Sequence, residues 1–347
     1  MSEIASPVQE GTPAAVATEP APAAAGRRLA IARLRDLALI PAIIVIAIVG
    51  QIVNPVFLHA DNLLNVVQTM SEIAILVLAE TLVLVAGKMD LSLESTFGLA
   101  PGIAAWLIVK PGVGHGLGLL PGAWAIPITL IVGALIGLVN GLFIVRFKLN
   151  GFIVTLGMLI VLRGLLTGVS GGRTFFGLPS SMLYLSNTNW LGMPASIWVC
   201  LIAFAVAIVV LSLTRSGRSL YAIGGNVDAA RAAGIRTDRV MWLTLVLAST
   251  LAALGGLLLS GRLASVAASQ GNGDIFTVFA AAVIGGVSLN GGKGTMFGAF
   301  TGVLLLYMIQ NVLTLGGVPA QWISALNGAI ILVALILARI TSGQAQE

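Results

Sequence analysis

Apolar residues along this chain come in long continuous blocks, with polar residues gathered between them. The blocks lie near 37–53, 63–86, 93–109, 123–145, 152–169, 196–213, 240–261, 275–289, 295–313 and 322–340. Most approach 20 residues, the length an α-helix needs to cross the hydrocarbon of a bilayer. The runs do not alternate apolar with polar, so a transmembrane β-barrel is excluded. The pattern predicts an all-α, polytopic transmembrane bundle of about ten spans. Two blocks are irregular. Glu72 and Glu80 interrupt the second. The eighth is short and ends in "GGVSLNGGKG", which predicts a broken or re-entrant segment whose freed backbone groups are buried in protein.

Composition agrees with the pattern. Of 347 residues, 58% are hydrophobic and 9% are charged, with a mean hydropathy of +1.03. A soluble domain carries about 25% charged residues, so this chain could not cover a surface facing water. Its single cysteine, Cys200, lies in an apolar run, and His59 and His115 sit in separate loops. No intrachain disulfide, metal cluster or cofactor site is expected from them. Residues 1–26 are rich in Ala, Pro, Thr and Glu, and no basic region precedes a short apolar core. A disordered cytoplasmic segment over 1–36 is expected, with no signal peptide. A membrane domain over 37–340 and a cytoplasmic tail over 341–347 are expected to follow.

Charge sets an expected orientation. With the N-terminus inside and ten crossings, Arg27, Arg28, Arg33, Arg35, Lys88, Arg146, Lys148, Arg215, Arg218, Arg231, Arg236, Arg239, Lys293 and Arg339 fall inside. Lys110, Arg173 and Arg262 fall outside, and Arg163 lies within the fifth span. Fourteen of the 18 basic residues are then internal, a strong positive-inside bias. Both termini are expected in the cytoplasm. The same bias accounts for the pI near 9.9 without a nucleic-acid partner.

The longest internal connection, 214–239, contains "GRSLYAIGGNVDAARAAGIRTDR". Its alanine-rich run predicts a short surface helix near 226–234, with Asp228 in the first turn and Gly234 at its end. One reading makes this a solvated basic loop that fixes topology. The other makes it a docking helix for a soluble partner.

The motif Asp228, Ala229, Ala230 and Gly234 resembles the Glu-Ala-Ala-x-x-x-Gly loop by which ABC-importer permeases touch their ATPase, with Asp in place of Glu. Its surroundings, "GRSLYAIGGNVDAARAAGI", resemble the cytoplasmic loop of ribose-type monosaccharide permeases. So do "NGFIVTLGMLIVLRGLLTGVSGG" at 150–172, "FAAAVIGGVSLNGGKGTMFGAFTGVLL" at 279–305 with "NVLTLGGV" at 311–318, and "AGKMDLSLES" at 86–95. The chain thus resembles the branched-chain amino acid/sugar permease family from about residue 35 to 340. It departs at Lys88-Met89, where Gly-Ile is usual, and at Glu94, where Gly is usual.

The resemblance implies the membrane subunit of an ATP-driven importer. Its partners would be a cytoplasmic ABC ATPase, an extracytoplasmic sugar-binding protein and a second permease copy or paralogue, a homodimer being expected. The chain itself would hydrolyse nothing. It carries no Gly-x-x-x-x-Gly-Lys-[Ser/Thr] motif, "GGVSLNGGKGT" being only a near miss. Gly224, Gly225, Asp228, Ala229, Ala230, Arg231 and Gly234 are the expected ATPase-coupling residues.

Other residues are weighed from their own chemistry. Asp90 and Ser92 are read as a helix N-cap, and Glu94 as a first-turn acid favoured by the helix dipole. Glu80 lies deep in "AILVLAETLVLVAG", where a charge costs about 2.5–3.5 kcal/mol. It must face the interior, be protonated, or pair with a cation such as Arg163, as a buried structural pair or as a pathway group. Glu72 is read as reaching water at the outer end of its span. Asn65, Gln68, Phe152, Thr155 and Asn311 are polar or aromatic groups suited to sugar hydroxyls and ring faces, or equally to helix–helix contact. A branched-chain amino acid cargo remains an alternative. So does a proton-coupled secondary transporter using Glu80, although no internal repeat supports it. A channel is disfavoured because no filter-like loop stands out.

Overall fold

In the computed structural model of the chain, residues 39–323 are described, together with 325, 326, 328, 329, 332 and 336. The expected segment 1–36, most of the expected span 322–340, the tail 341–347 and the inside placement of Arg27, Arg28, Arg33, Arg35 and Arg339 lie outside these residues.

The helices follow the apolar blocks. Apart from a single turn at Pro111–Gly114, they are α1 Ile40–Val53, α2 Ala60–Val85, α3 Ser92–Ile108, α4 Ala125–Gly141, α5 Gly151–Ser170, α6 Ser180–Asn187, α7 Ala195–Leu213, α8 Arg215–Gly225, α9 Val227–Ala232, α10 Thr237–Leu263, α11 Asp274–Ile284 and α12 Met296–Leu315. A 3₁₀ turn at Gly122–Trp124 and a π turn at Leu142–Arg146 extend α4 at its two ends. Asn189–Trp190 and Met193–Pro194 form a small antiparallel hairpin.

Among the described residues, six helices are long and apolar enough to cross a membrane: Ala60–Val85, Gly122–Arg146, Gly151–Ser170, Ala195–Leu213, Thr237–Leu263 and Met296–Leu315. The expected spans 37–53, 93–109 and 275–289 form shorter helices of 14, 17 and 11 residues. Among the described residues, the expectation of about ten spans is met only in part: six of them are full-length helices and three are shorter ones. α11 is the extreme case. Its 11 residues reach only about 16 Å, half the hydrocarbon thickness.

α2 forms the centre. Every residue from Met70 to Val85 is buried, as expected of a helix that is apolar nearly all round. α10 packs on α2, α3 and α4, and α5 packs on α3. Small residues allow the close approach. A methyl group added at Gly256 would overlap the Phe97 carbonyl of α3, and one at Gly137 would stand 2.5 Å from the Val246 Cα of α10. The outer faces of α5 and α7 are apolar and exposed, with Ile153, Ile160, Ile202 and Val206 pointing away from the bundle. Such faces suit lipid.

The connections sort into two ends. At one end, Gly87 approaches Gly224 and Gly291, and the Lys88 side chain lies by Gly151. The loops expected inside on charge therefore share one end of the bundle. At the other end, Phe175 and Val266 form an isolated β-bridge. There too Gln68 Nε2 donates to the Ser186 carbonyl at 2.9 Å.

Helix–helix contact through small residues carries a direct test. Gly256→Ala should destabilise the detergent-solubilised protein by about 1–3 kcal/mol through overpacking. Gly157→Ala, which faces open space, should leave the melting temperature unchanged or slightly raised. Equal melting of the two variants would contradict the packing described.

Candidate functional site

Two regions concentrate polar chemistry. The first is the end where the basic loops meet. The charged connection after α7 is two helices rather than the single short helix expected. α8 is amphipathic: Gly217, Leu220 and Ile223 are buried, while Arg215, Ser216 and Arg218 are exposed. Thr214 caps it by accepting from the Gly217 amide at 3.2 Å. Asn226 starts α9 by accepting from the Asp228 and Ala229 amides at 3.0 and 2.9 Å. These caps satisfy amides that the helix itself leaves unpaired. Asp228 lies in the first turn, and Gly234 turns the chain out of α9 at a φ of +81°. A salt bridge of 3.3 Å joins Asp228 and Arg231, both well exposed.

The seven expected coupling residues divide by direction. Gly225, Asp228, Ala229, Arg231 and Gly234 are exposed. Ala230 is turned inward and buried. Gly224 also serves the chain's own packing: a methyl group there would overlap the Val85 carbonyl and stand 2.5 Å from the Gly292 nitrogen. The Gly292 amide donates to the Val85 carbonyl at 2.9 Å, and the Tyr221 hydroxyl donates to the Gly294 carbonyl at 2.8 Å. Gly87, Gly291 and Gly292 all have positive φ here, which glycine adopts without steric cost. The end of α2, the end of α8 and the loop between α11 and α12 thus meet backbone to backbone.

Beside this junction lies a carboxyl pair. Glu80 is fully buried, and its Oε1 accepts from the Asp90 amide at 3.2 Å. Its Oε2 has no partner among the described residues. The expected pairing of Glu80 with Arg163 is not formed, because Arg163 lies along α5 and bonds Glu94 instead. Asp90 Oδ1 accepts from the Ser92 amide at 3.0 Å and its hydroxyl at 2.5 Å, and Asn140 reaches Oδ2 at 3.3 Å. Burial pushes the Asp90 carboxyl up to about 6, against these bonds, which favour its charged form.

The second region is at mid-depth. Arg163 of α5 bonds Glu94 of α3 at 2.7 Å. Glu94 Oε2 also accepts from the Ile275 amide at the start of α11, at 3.2 Å. Asp274, the first residue of α11, is the neighbour of the Ile275 amide held by Glu94. Further along, Arg262 bonds both oxygens of Glu72, at 2.6 and 3.0 Å. Glu72 is 1% exposed, so the expectation that it reaches water is overturned: α10 brings Arg262 back over it. Arg262, expected outside, is engaged in that pair. Sequence reasoning missed both pairs. The available signal was two acids and two arginines at the ends or middles of different apolar runs, since hydrocarbon leaves such charges no partner but each other.

Between α10 and α11 the chain is non-helical, and a buried side-chain amide anchors it. Gln270 Nε2 donates to the carbonyls of Phe97 and Gly256, both at 3.1 Å. The remaining expected pathway residues are not gathered here. Asn65 is exposed on α2. Gln68 is engaged by Ser186, and Asn311 exchanges hydrogen bonds with Asn62 at 2.9 and 3.1 Å. Phe152 is exposed on α5, while Thr155 is buried under Met89.

Comparison with known proteins adds a family. The model described as branched-chain amino acid transport system / permease component matches residues 62–335. The ribose import permease protein of Haemophilus influenzae is 34% identical over 298 residues, 85% of this chain and 90% of that protein. The ribose import permease protein of Escherichia coli K12 is 33% identical, over 88% of this chain and 93% of that protein. An autoinducer 2 import system permease protein of Klebsiella pneumoniae is 34% identical over 87% and 86%. No solved structure matches the chain.

The Glu72–Arg262 pair can be measured in isolation. Glu72→Gln and Arg262→Gln should each destabilise, and the double variant should lose less than their sum. Because Arg262 is partly exposed, a coupling of about 1–3 kcal/mol is expected. Strict additivity in the melting of the four proteins would show that the pair contributes nothing.

Proposed function

Because the chain belongs to the branched-chain amino acid transport system / permease component family, we propose that it is the membrane-spanning subunit of an ATP-driven importer. Its cargo is a monosaccharide or similar small polyol. Two such subunits enclose the pathway, a sugar-binding protein delivers cargo from outside, and a separate ATPase subunit drives alternating access. The observation that carries this reading is the α8–α9 hairpin. It is polar, capped at both starts and exposed at Asp228, Ala229, Arg231 and Gly234, yet seated on the end of α2 and the loop that follows α11. The two relatives named for ribose import support a sugar over a branched-chain amino acid. In this assignment 37–340 is the permease domain, 214–239 the ATPase-coupling segment, and the end bearing Lys88, Arg146 and Lys293 faces the cytoplasm.

The exposed residues of the hairpin are where an ATPase would touch. A side chain added at Gly234 would meet no atom within 4 Å, so replacing it strains the backbone through its positive φ rather than by crowding. Asp228 and Arg231 present opposite charges in water, where their mutual attraction contributes little and a partner can compete for both. Asp90, Ser92 and Asn140 hold the start of α3 in place, while Glu80 lies behind them as a buried group of the pathway wall.

Two outcomes are expected. Ser216→Cys should resist a membrane-impermeant thiol reagent in intact cells, and Leu191→Cys should react; the reverse pattern would overturn the orientation. In the reconstituted complex, Asp228→Lys and Gly234→Leu should leave the chain inserted and lower cargo-stimulated ATP hydrolysis by on the order of tenfold. Normal stimulation in both variants would leave the hairpin as a topology signal only.

A further inference from the structure

The segment between α10 and α11 leaves the helical state at membrane depth. Gln270 anchors it to the Phe97 carbonyl of α3 and the Gly256 carbonyl of α10, and the Glu94 carboxylate anchors the Ile275 amide. Between these anchors, Asn272 and Gly273 are exposed. Irregular backbone does not face lipid, because hydrocarbon cannot hydrogen-bond its amides and carbonyls; it persists only inside protein or along a water-filled cavity. The side chains that follow have the same requirement. Asp274 is half-buried, and its carboxyl accepts no hydrogen bond among the described residues. The Arg163 guanidinium is held by Glu94 on one side, yet its side chain keeps 20% of its exposure. Phe276, in the first turn of α11, is 63% exposed.

We propose that this break in the bundle, bearing Asn272, Asp274 and Phe276 beside Arg163, faces the aqueous pathway and is the station at which a neutral polyhydroxylated solute is recognised. The inference rests on the importer reading above and deepens it. An amide, a carboxyl and a guanidinium offer donors and acceptors to neighbouring hydroxyls. An exposed aromatic ring offers a face to the C–H side of a sugar ring. Glu94 bonds the Arg163 guanidinium, and Asp274, next to the Ile275 amide that Glu94 also holds, brings a second carboxyl to the same place. That excess of acceptors suits hydroxyl donors and disfavours anionic sugars such as phosphate esters. Glu94 is a positioning residue: it is buried, and it acts by holding Arg163 and the start of α11.

Single cysteines at 272, 274 and 276 in a Cys200→Ala background test the location. Membranes carrying the assembled complex are treated with a charged, water-soluble methanethiosulfonate, with Ile160→Cys and Ile202→Cys as controls on the apolar outer faces. Asn272→Cys, Asp274→Cys and Phe276→Cys should react and the controls should not. Control-like silence at all three positions would overturn the proposal. Recognition is read from uptake of labelled D-ribose and a panel of other neutral sugars. For whichever sugar the wild-type complex takes up, Asp274→Asn should raise KM by on the order of tenfold with Vmax largely kept, and Glu94→Gln should lower Vmax as well. An unchanged KM in Asp274→Asn, with the cysteines reactive, would overturn the recognition role. A wild-type complex that takes up no neutral sugar, while its cysteines react, would count against the importer's assigned cargo and not against the water-facing break.

Discussion

Hydrocarbon cannot hydrogen-bond, and that constraint organises this chain. Each polar group carried into the bundle must find its partner within the protein. Glu72 finds Arg262, and Glu94 finds both Arg163 and the Ile275 amide. Gln270 places its amide on two carbonyls. The Glu94 carboxylate pairs the Ile275 amide at the start of α11, while turn bonds such as that from the Gln270 amide to the Ala267 carbonyl pair the backbone before it. The start of α11 and the buried Glu94–Arg163 charge pair are linked through that one contact.

At the other end of α11 the constraint is steric. Glycines let the loop before α12 lie against the ends of α2 and α8 with no side chain between them. On the proposed reading, a force applied to the exposed face of α9 passes through α8 to this junction. From there it reaches α2, which carries Glu72 and Glu80, and α11, which carries Asp274. On that reading α11 joins the glycine junction at one end to the polar break at the other.

The helices are legible in the sequence because apolar length is a strong signal. Nine of the expected segments appear as helices within a few residues of their expected bounds. Length alone does not show that α11 stops at half a membrane; only the density of glycines after it points to a break. The hairpin reads as one helix because Gly224-Gly225 looks like a turn, whereas the pair closes α8. The polar partners are least legible. Arg262 follows an apolar run and reads as a loop residue facing water, and nothing local shows that it reaches Glu72, 190 positions earlier in the chain. Glu94 stands out in the sequence only as a charge where a glycine is usual. Polar side chains within the apolar blocks, such as Gln68 and Asn311, have the chemistry of ligand contacts and are engaged in contacts between elements instead.

The central claim is that this bundle moves a neutral sugar only when an ATPase acts on its hairpin. The most direct measurement is D-ribose uptake into proteoliposomes holding the chain with its ATPase and binding protein, with ATP and a proton gradient varied independently. The account predicts uptake that requires ATP and persists after the gradient is collapsed. Uptake that follows the gradient and proceeds without ATP would contradict it, and would return Glu80 to the role of a proton-coupling group.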